Sequence, residues 1–181
     1  CTKEYIKEVF HKYPKVLITK IAKEPHIGIV NGLYATSAGT GSLTLVEVMK
    51  TPTDRKLGLE LTGNQGDVMK ESMSCAKTLA WNLLPKEIKK EIKDDWEETG
   101  NWGLHIHCPE AGMPKDGPSA GITITTAILS RLCGIPVKNT IAMTGEVDLH
   151  GKVHAIGGLN SKLEGARRAG VKLVLIPEDN R

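Results

Sequence analysis

Over the first third of the chain, apolar residues fall into short alternating runs. Ile27 to Tyr34 and Gly41 to Met49 read as strands; in the second, Leu43, Leu45 and Glu47 alternate with Thr44, Val46 and Val48. Thr51-Pro52-Thr53-Asp54 reads as a turn, and Leu57, Leu59 and Leu61 alternate in a third strand. From Asp67, a candidate cap, the period lengthens. Val68, Met69, Met73, Ala76, Leu79, Ala80 and Leu83 keep helical spacing. Pro85 opens a second helix, Lys86 to Glu98, in which Ile88, Ile92 and Trp96 recur on one face among charges of both signs. Ahead of all this, residues 2–12 predict a short helix with Tyr5, Ile6, Val9 and Phe10 on one side.

Trp102 to Cys108 reads as a strand and leads into a loop. The run after Ser119 points two ways. Ile122-Thr123-Ile124-Thr125-Thr126 is β-branched and favours a strand by propensity, whereas its length, up to a capping Gly134, favours a helix. Ile141 to Val147 and Lys152 to Ile156 flank Leu149-His150-Gly151 as a hairpin. A helix from about Asn160 to Ala169 ends at Gly170, and Val171 to Ile176 forms a last strand stopped by Pro177. Strands and helices are mixed without regular alternation, which predicts an α/β (α+β) domain with a mixed sheet and flanking helices.

A chain of 181 residues, 40% hydrophobic and 25% charged, suits one ordinary globular domain. Aromatic residues make up only 4%, so the core is expected to be aliphatic. No apolar run approaches the ~18 residues that span a bilayer, and the first residues do not read as a signal peptide. A net charge of +3, with both signs interleaved, argues against a nucleic-acid partner, because phosphate tracking needs a concentrated basic face. The four cysteines, Cys1, Cys75, Cys108 and Cys133, are widely spread, and free thiols in a reducing intracellular compartment are expected. Gly145 to Val153 only approximates a phosphate loop: Gly151-Lys152 comes one residue late and a valine replaces the hydroxyl residue. An ATPase is excluded from this chain.

The candidate chemistry lies in two segments. Pro114-Lys115-Asp116-Gly117-Pro118-Ser119-Ala120-Gly121 is a rigid turn that delivers a serine to the start of an apolar run. If a helix begins there, unpaired N–H groups and the positive dipole end favour a developing oxyanion; the alternative is an ordinary N-cap serine. Downstream, Lys162 stands among small and apolar residues in Gly157-Gly158-Leu159-Asn160-Ser161-Lys162-Leu163-Glu164-Gly165-Ala166. Desolvated, it would be held neutral and able to act as a base; exposed, it would be a solvated helix lysine. His105 and His107 share one face of a strand. With Cys108 they raise a zinc reading, but Cys108 faces the other way and no local fourth ligand completes the tetrahedron. A histidine base for Ser119 is the sharper competitor.

Together with Met143-Thr144-Gly145-Glu146-Val147 and Gly66-Asp67-Val68-Met69-Lys70-Glu71-Ser72, in this order and at these spacings, the two segments resemble the proteolytic domain of ATP-dependent Lon proteases. The resemblance runs from about His26 to the C-terminus, and the octapeptide around Ser119 is specific for it. It implies that the run after Ser119 is a helix. It also implies a serine–lysine dyad, with Ser119 as nucleophile and Lys162 as general base, and Thr144 orienting the lysine. Asp116 holds the loop or pairs with Lys162 when the site is empty, and His107 is expected nearby in a supporting place. The implied substrate is unfolded polypeptide, delivered by an AAA+ ATPase in cis that uses ATP and Mg, in a homo-hexamer; this domain itself needs no cofactor or metal. Residues 1–25 are then the tail of a preceding region, and 26–181 the domain, ending short of the family's last elements. A silent Lon-like scaffold is the rival, although such a domain is expected to lack the serine or the lysine.

Overall fold

The computed structural model describes residues 2–11, 18–109 and 116–181. Its elements are α1 (Lys3–Phe10), β1 (Ile29–Ala35), β2 (Gly41–Pro52), β3 (Leu59–Thr62), α2 (Asp67–Leu83), α3 (Lys86–Thr99), β4 (Trp102–His107), α4 (Gly121–Cys133), β5 (Ile141–Met143), β6 (Glu146–Val147), β7 (Val153–His154), α5 (Leu159–Ala169) and β8 (Leu173–Leu175). Six strands form one mixed sheet in the order β3-β4-β2-β1-β5-β8. β2 runs antiparallel to both neighbours, β1 and β4, whereas β1, β5 and β8 are mutually parallel and β3 is parallel to β4. β6 and β7 make a separate small hairpin.

The alternation in β2 shows why this sheet carries helices on both faces. Val46 and Val48, with Val30 across on β1, pack into a core with Ile124 and Ile128 of α4 and Met73 and Ala76 of α2. Leu43, with Leu33 across on β1, faces the other way and packs with Ala166 and Ala169 of α5. Apolar side chains on both sets of alternate positions are what a strand buried on two faces requires. The larger core is not wholly aliphatic. Trp96 and Trp102 are buried in it with ring centroids 5.2 Å apart, and Trp81 stacks on Trp96 at 5.7 Å, closing the end where α2, α3 and β4 meet.

Several expected boundaries move, each for a local reason. β2 continues through Thr51 and Pro52, which pair with Gly103 and Trp102, so the turn starts at Thr53. Proline is tolerated there because β1 has already ended opposite Glu47, leaving that edge without a ladder partner. Leu57 lies before β3 at φ 56, in the turn rather than the strand. Asp67 is the first residue of α2 and not its cap, which is Gly66. The run Ile141–Val147 breaks into β5 and β6 at Thr144-Gly145.

The β-branched run after Ser119 is helical, and its buried threonines show how that is tolerated. Thr125 Oγ1 donates to the Gly121 carbonyl and Thr126 Oγ1 to that of Ile122, one turn back, while Thr123 Oγ1 donates to Met143 on β5. Gly134, at φ 68, closes α4 as expected. Cys75, Cys108 and Cys133 form no disulfide among the described residues, and Cys1 lies outside them. Among the described residues, no helix is long and apolar enough to cross a membrane.

Candidate active site

The sheet's parallel strands β1 and β5 end side by side, and the site lies just beyond their carboxyl ends, as ligand sites in α/β sheets do. Ser119 reaches it from the α4 face of the sheet. Pro118–Ala120 form a single 3₁₀ turn ahead of α4, entered through Gly117 at φ 140, a backbone conformation that favours glycine. The helix proper therefore begins at Gly121, two residues later than the sequence suggested. Gly145 explains this offset. Its N–H donates to the Ser119 carbonyl at 2.7 Å, and its own carbonyl accepts from the Ile122 N–H at 3.0 Å. The break between β5 and β6 thus locks onto the turn from both sides. A Cβ on Gly145 would lie 2.4 Å from Val153 Cγ1, so any larger residue requires the Val153 side chain to move.

Lys162 arrives from the opposite face, in the first turn of α5, which Gly158 opens in the left-handed region at φ 69. It is 3% exposed. Its Nζ is 3.0 Å from Ser119 Oγ and 3.1 Å from Thr144 Oγ1. The Thr144 hydroxyl, itself buried, donates to the Ser119 carbonyl at 3.2 Å and so offers Lys162 a lone pair. Burial pushes the lysine pKa down, and among the described residues no carboxylate pulls it back. The three residues close a small ring, completed between Thr144 and Ser119 through the Ser119 backbone carbonyl.

A cavity of about 620 Å³ opens onto this ring. Tyr34 to Ser37 line one side and Ala155 to Gly158 another, with Asp116 and Glu146 between them. Asp116 makes no ion pair with Lys162 among the described residues. Its Oδ1 instead accepts from the Met69 N–H at 3.0 Å, at the start of α2.

Of the residues singled out by sequence, the structure gathers Ser119, Lys162 and Asp116 around one cavity, with Thr144 buried against Lys162 and the Ser119 carbonyl. His107 is not among the residues that line it. Its Nδ1 contacts Thr62 Oγ1 at 2.7 Å on the β3–β4 edge, and the same hydroxyl contacts His105 Nε2 at 2.8 Å. Both imidazoles are thus tied to one threonine, through the same-face placement their spacing predicted. Among the described residues no group of three or more His, Cys, Asp or Glu side chains could hold a metal ion. Pro114 and Lys115 of the octapeptide lie outside the described residues. Sequence reasoning passed over Gly145, although a glycine inside an apolar β run is itself a sign of a bulge or a close backbone approach.

The chain also matches known proteins. The model of the Lon protease (S16) C-terminal proteolytic domain covers residues 2–181. The chain is 44% identical over 183 aligned residues to the Lon protease homolog of Acanthamoeba polyphaga mimivirus, covering 97% of this chain and 17% of that protein. It is 49% identical over 155 residues to the Lon protease of Fusobacterium nucleatum, covering 86% of this chain and 19% of the relative. It is also 49% identical over 158 residues to the Lon protease of Metamycoplasma arthritidis, covering 87% and 18%. The chain thus spans less than a fifth of each of these relatives. With a match running through every described element, this chain belongs to the family of Lon protease C-terminal proteolytic domains.

Proposed function

We propose that this domain is a serine endopeptidase in which Ser119 attacks the scissile carbonyl and Lys162 is its general base. One observation carries the reading: a buried lysine with a lowered pKa holds its Nζ 3.0 Å from a serine hydroxyl. As the neutral amine, Lys162 accepts the Ser119 proton while Oγ bonds to the carbonyl carbon. The resulting ammonium passes that proton to the leaving nitrogen as the C–N bond breaks, which leaves an ester on Ser119. The amine, neutral again, takes a proton from a water that attacks the ester, and returns it to Ser119 Oγ as the ester C–O bond breaks, releasing the acid. Thr144 keeps Nζ aimed throughout, because its lone pair points at the lysine whenever its own proton is given to the Ser119 carbonyl. The Ser119 backbone N–H serves the oxyanion; Pro118 has none to offer.

The substrate in this reading is unfolded polypeptide, extended between the Tyr34–Ser37 and Ala155–Gly158 walls. Family membership and the much greater length of the relatives support a whole protein in which an AAA+ ATPase using ATP and Mg precedes this domain and six copies form a ring in a reducing intracellular compartment.

Casein cleavage by the full-length protein with ATP tests the chemistry. Ser119→Ala and Lys162→Ala are each expected to lose at least about a thousandfold with unchanged circular dichroism. Activity that survives Lys162→Ala sinks the serine–lysine mechanism.

A further inference from the structure

The segment Gly66 to Ser72 supplies no member of the ring, yet it touches the turn carrying Ser119 at two places. The Met69 N–H donates to Asp116 Oδ1 at 3.0 Å, and the Ser72 hydroxyl faces the Pro118 carbonyl at 3.5 Å. Asp116 is therefore the side-chain cap that α2 lacks at Gly66. Gly66 makes room for it. Its φ of −72 and ψ of 173 suit any residue, but a Cβ there would lie 2.3 Å from Asp116 Cγ and 2.6 Å from Oδ2. An alanine at this position has no backbone strain to bear and collides with one side chain, the carboxyl of Asp116.

That carboxyl has another place to go. Asp116 and Lys162 line the same cavity of about 620 Å³. Taken as a sphere it is roughly 11 Å across, about one Debye length of ~8–10 Å, so a carboxylate turned into it still acts on the lysine through partial screening. A negative charge there makes the ammonium harder to deprotonate. Among the described residues, the other ionisable groups lining the cavity are Glu146 on β6 and Tyr34 on β1.

We propose that Gly66 and the first turn of α2 are positioning elements for catalysis, which hold the Asp116 carboxylate on α2 and thereby leave Lys162 unpaired and free to lose its proton. The inference rests on the serine–lysine reading above.

The test is the pH dependence of kcat/KM for a fluorogenic peptide, measured on the full-length protein. Gly66→Ala is expected to displace the acid limb to higher pH and to lower kcat/KM roughly tenfold on that limb, with recovery at alkaline pH and KM unchanged. Gly66→Ala combined with Asp116→Asn keeps the collision but removes the charge, and the limb is expected back at the wild-type position. Asp116→Glu gives the same outcome as Gly66→Ala without altering α2, because the added methylene no longer fits against Gly66; it serves if Gly66→Ala does not fold. An acid limb that stays in place in Gly66→Ala or, where that variant does not fold, in Asp116→Glu overturns the proposal. So does a limb displaced equally whether residue 116 is Asp or Asn. Failure of the serine–lysine reading shows separately, as activity retained by Lys162→Ala.

Discussion

Thr144 is the place where the reasoning can be pressed hardest, because its hydroxyl does two things and a valine removes both while keeping the shape. In Thr144→Val, Lys162 Nζ loses its 3.1 Å partner and keeps only Ser119. The Ser119 carbonyl loses the hydroxyl at 3.2 Å but retains the Gly145 N–H at 2.7 Å, so it is not stranded. The stability loss is then that of one buried neutral hydrogen bond plus a contact to the amine, about 1–2 kcal/mol. For a domain of this size that lowers the melting temperature by roughly 3–8 °C. The effect on turnover is separate. An amine free to swing away from Oγ should lower kcat by about 10- to 100-fold, or roughly 1.4–2.7 kcal/mol of transition-state energy. Thr144→Ser retains the hydroxyl and loses only a methyl, so kcat should stay within about threefold of wild type, at a stability loss of about 1 kcal/mol. Peptide hydrolysis by the full-length protein, with thermal melts in parallel, measures both quantities. A fully active Thr144→Val, or a Thr144→Ser as impaired as the valine variant, refutes the orienting role.

Two further outcomes follow from burial and packing. Lys162→Met should raise the melting temperature at neutral pH while abolishing activity. The folded-state pKa of Lys162 is lowered, so between that value and the unfolded one near ~10.4 the unfolded chain binds more protons and wild-type stability rises with pH. The advantage of Lys162→Met should therefore be largest below this window and shrink through it towards pH 10; a pH-independent difference counts against a buried, titrating amine. Gly41→Ala places a Cβ 1.8 Å from the Ser161 carbonyl oxygen and 2.8 Å from the Lys162 nitrogen, all backbone atoms of α5 that cannot turn aside. We expect a destabilisation of about 1–3 kcal/mol by chemical denaturation together with a kcat loss larger than that of a surface control; an unaffected kcat would show that α5 can shift without carrying Lys162 out of reach.

Much of this site was legible because its chemistry is packed into short contiguous stretches. The turn around Ser119 announces itself by proline and glycine, and α5 by Gly158 before it and Gly170 after it, both with positive φ. The β1–β2 hairpin follows from alternation. What escaped is tertiary in origin. Asp67 sits where a capping acid belongs, and nothing local says that Asp116, far along the chain, does the capping instead. Ile141 to Val147 is apolar enough for one strand, and only the docking of the Ser119 turn onto Gly145 divides it. His107 stands close in sequence to the Ser119 loop, but the β3–β4 pairing turns it toward Thr62. Alternation in β2 identified a strand without revealing that both of its faces are covered.

The two residues of the proposed catalytic pair come from opposite sides of the sheet, each anchored in its own core: Ser119 with α4, Lys162 with α5. Neither layer alone holds both residues. A chain still being synthesised, or one whose α5 layer has come loose, holds an ordinary serine on one side and a solvated lysine on the other, and cannot cut itself or its neighbours. If the pair acts as proposed, cleavage begins only once both layers have closed on the sheet, and completed folding is the condition for activity.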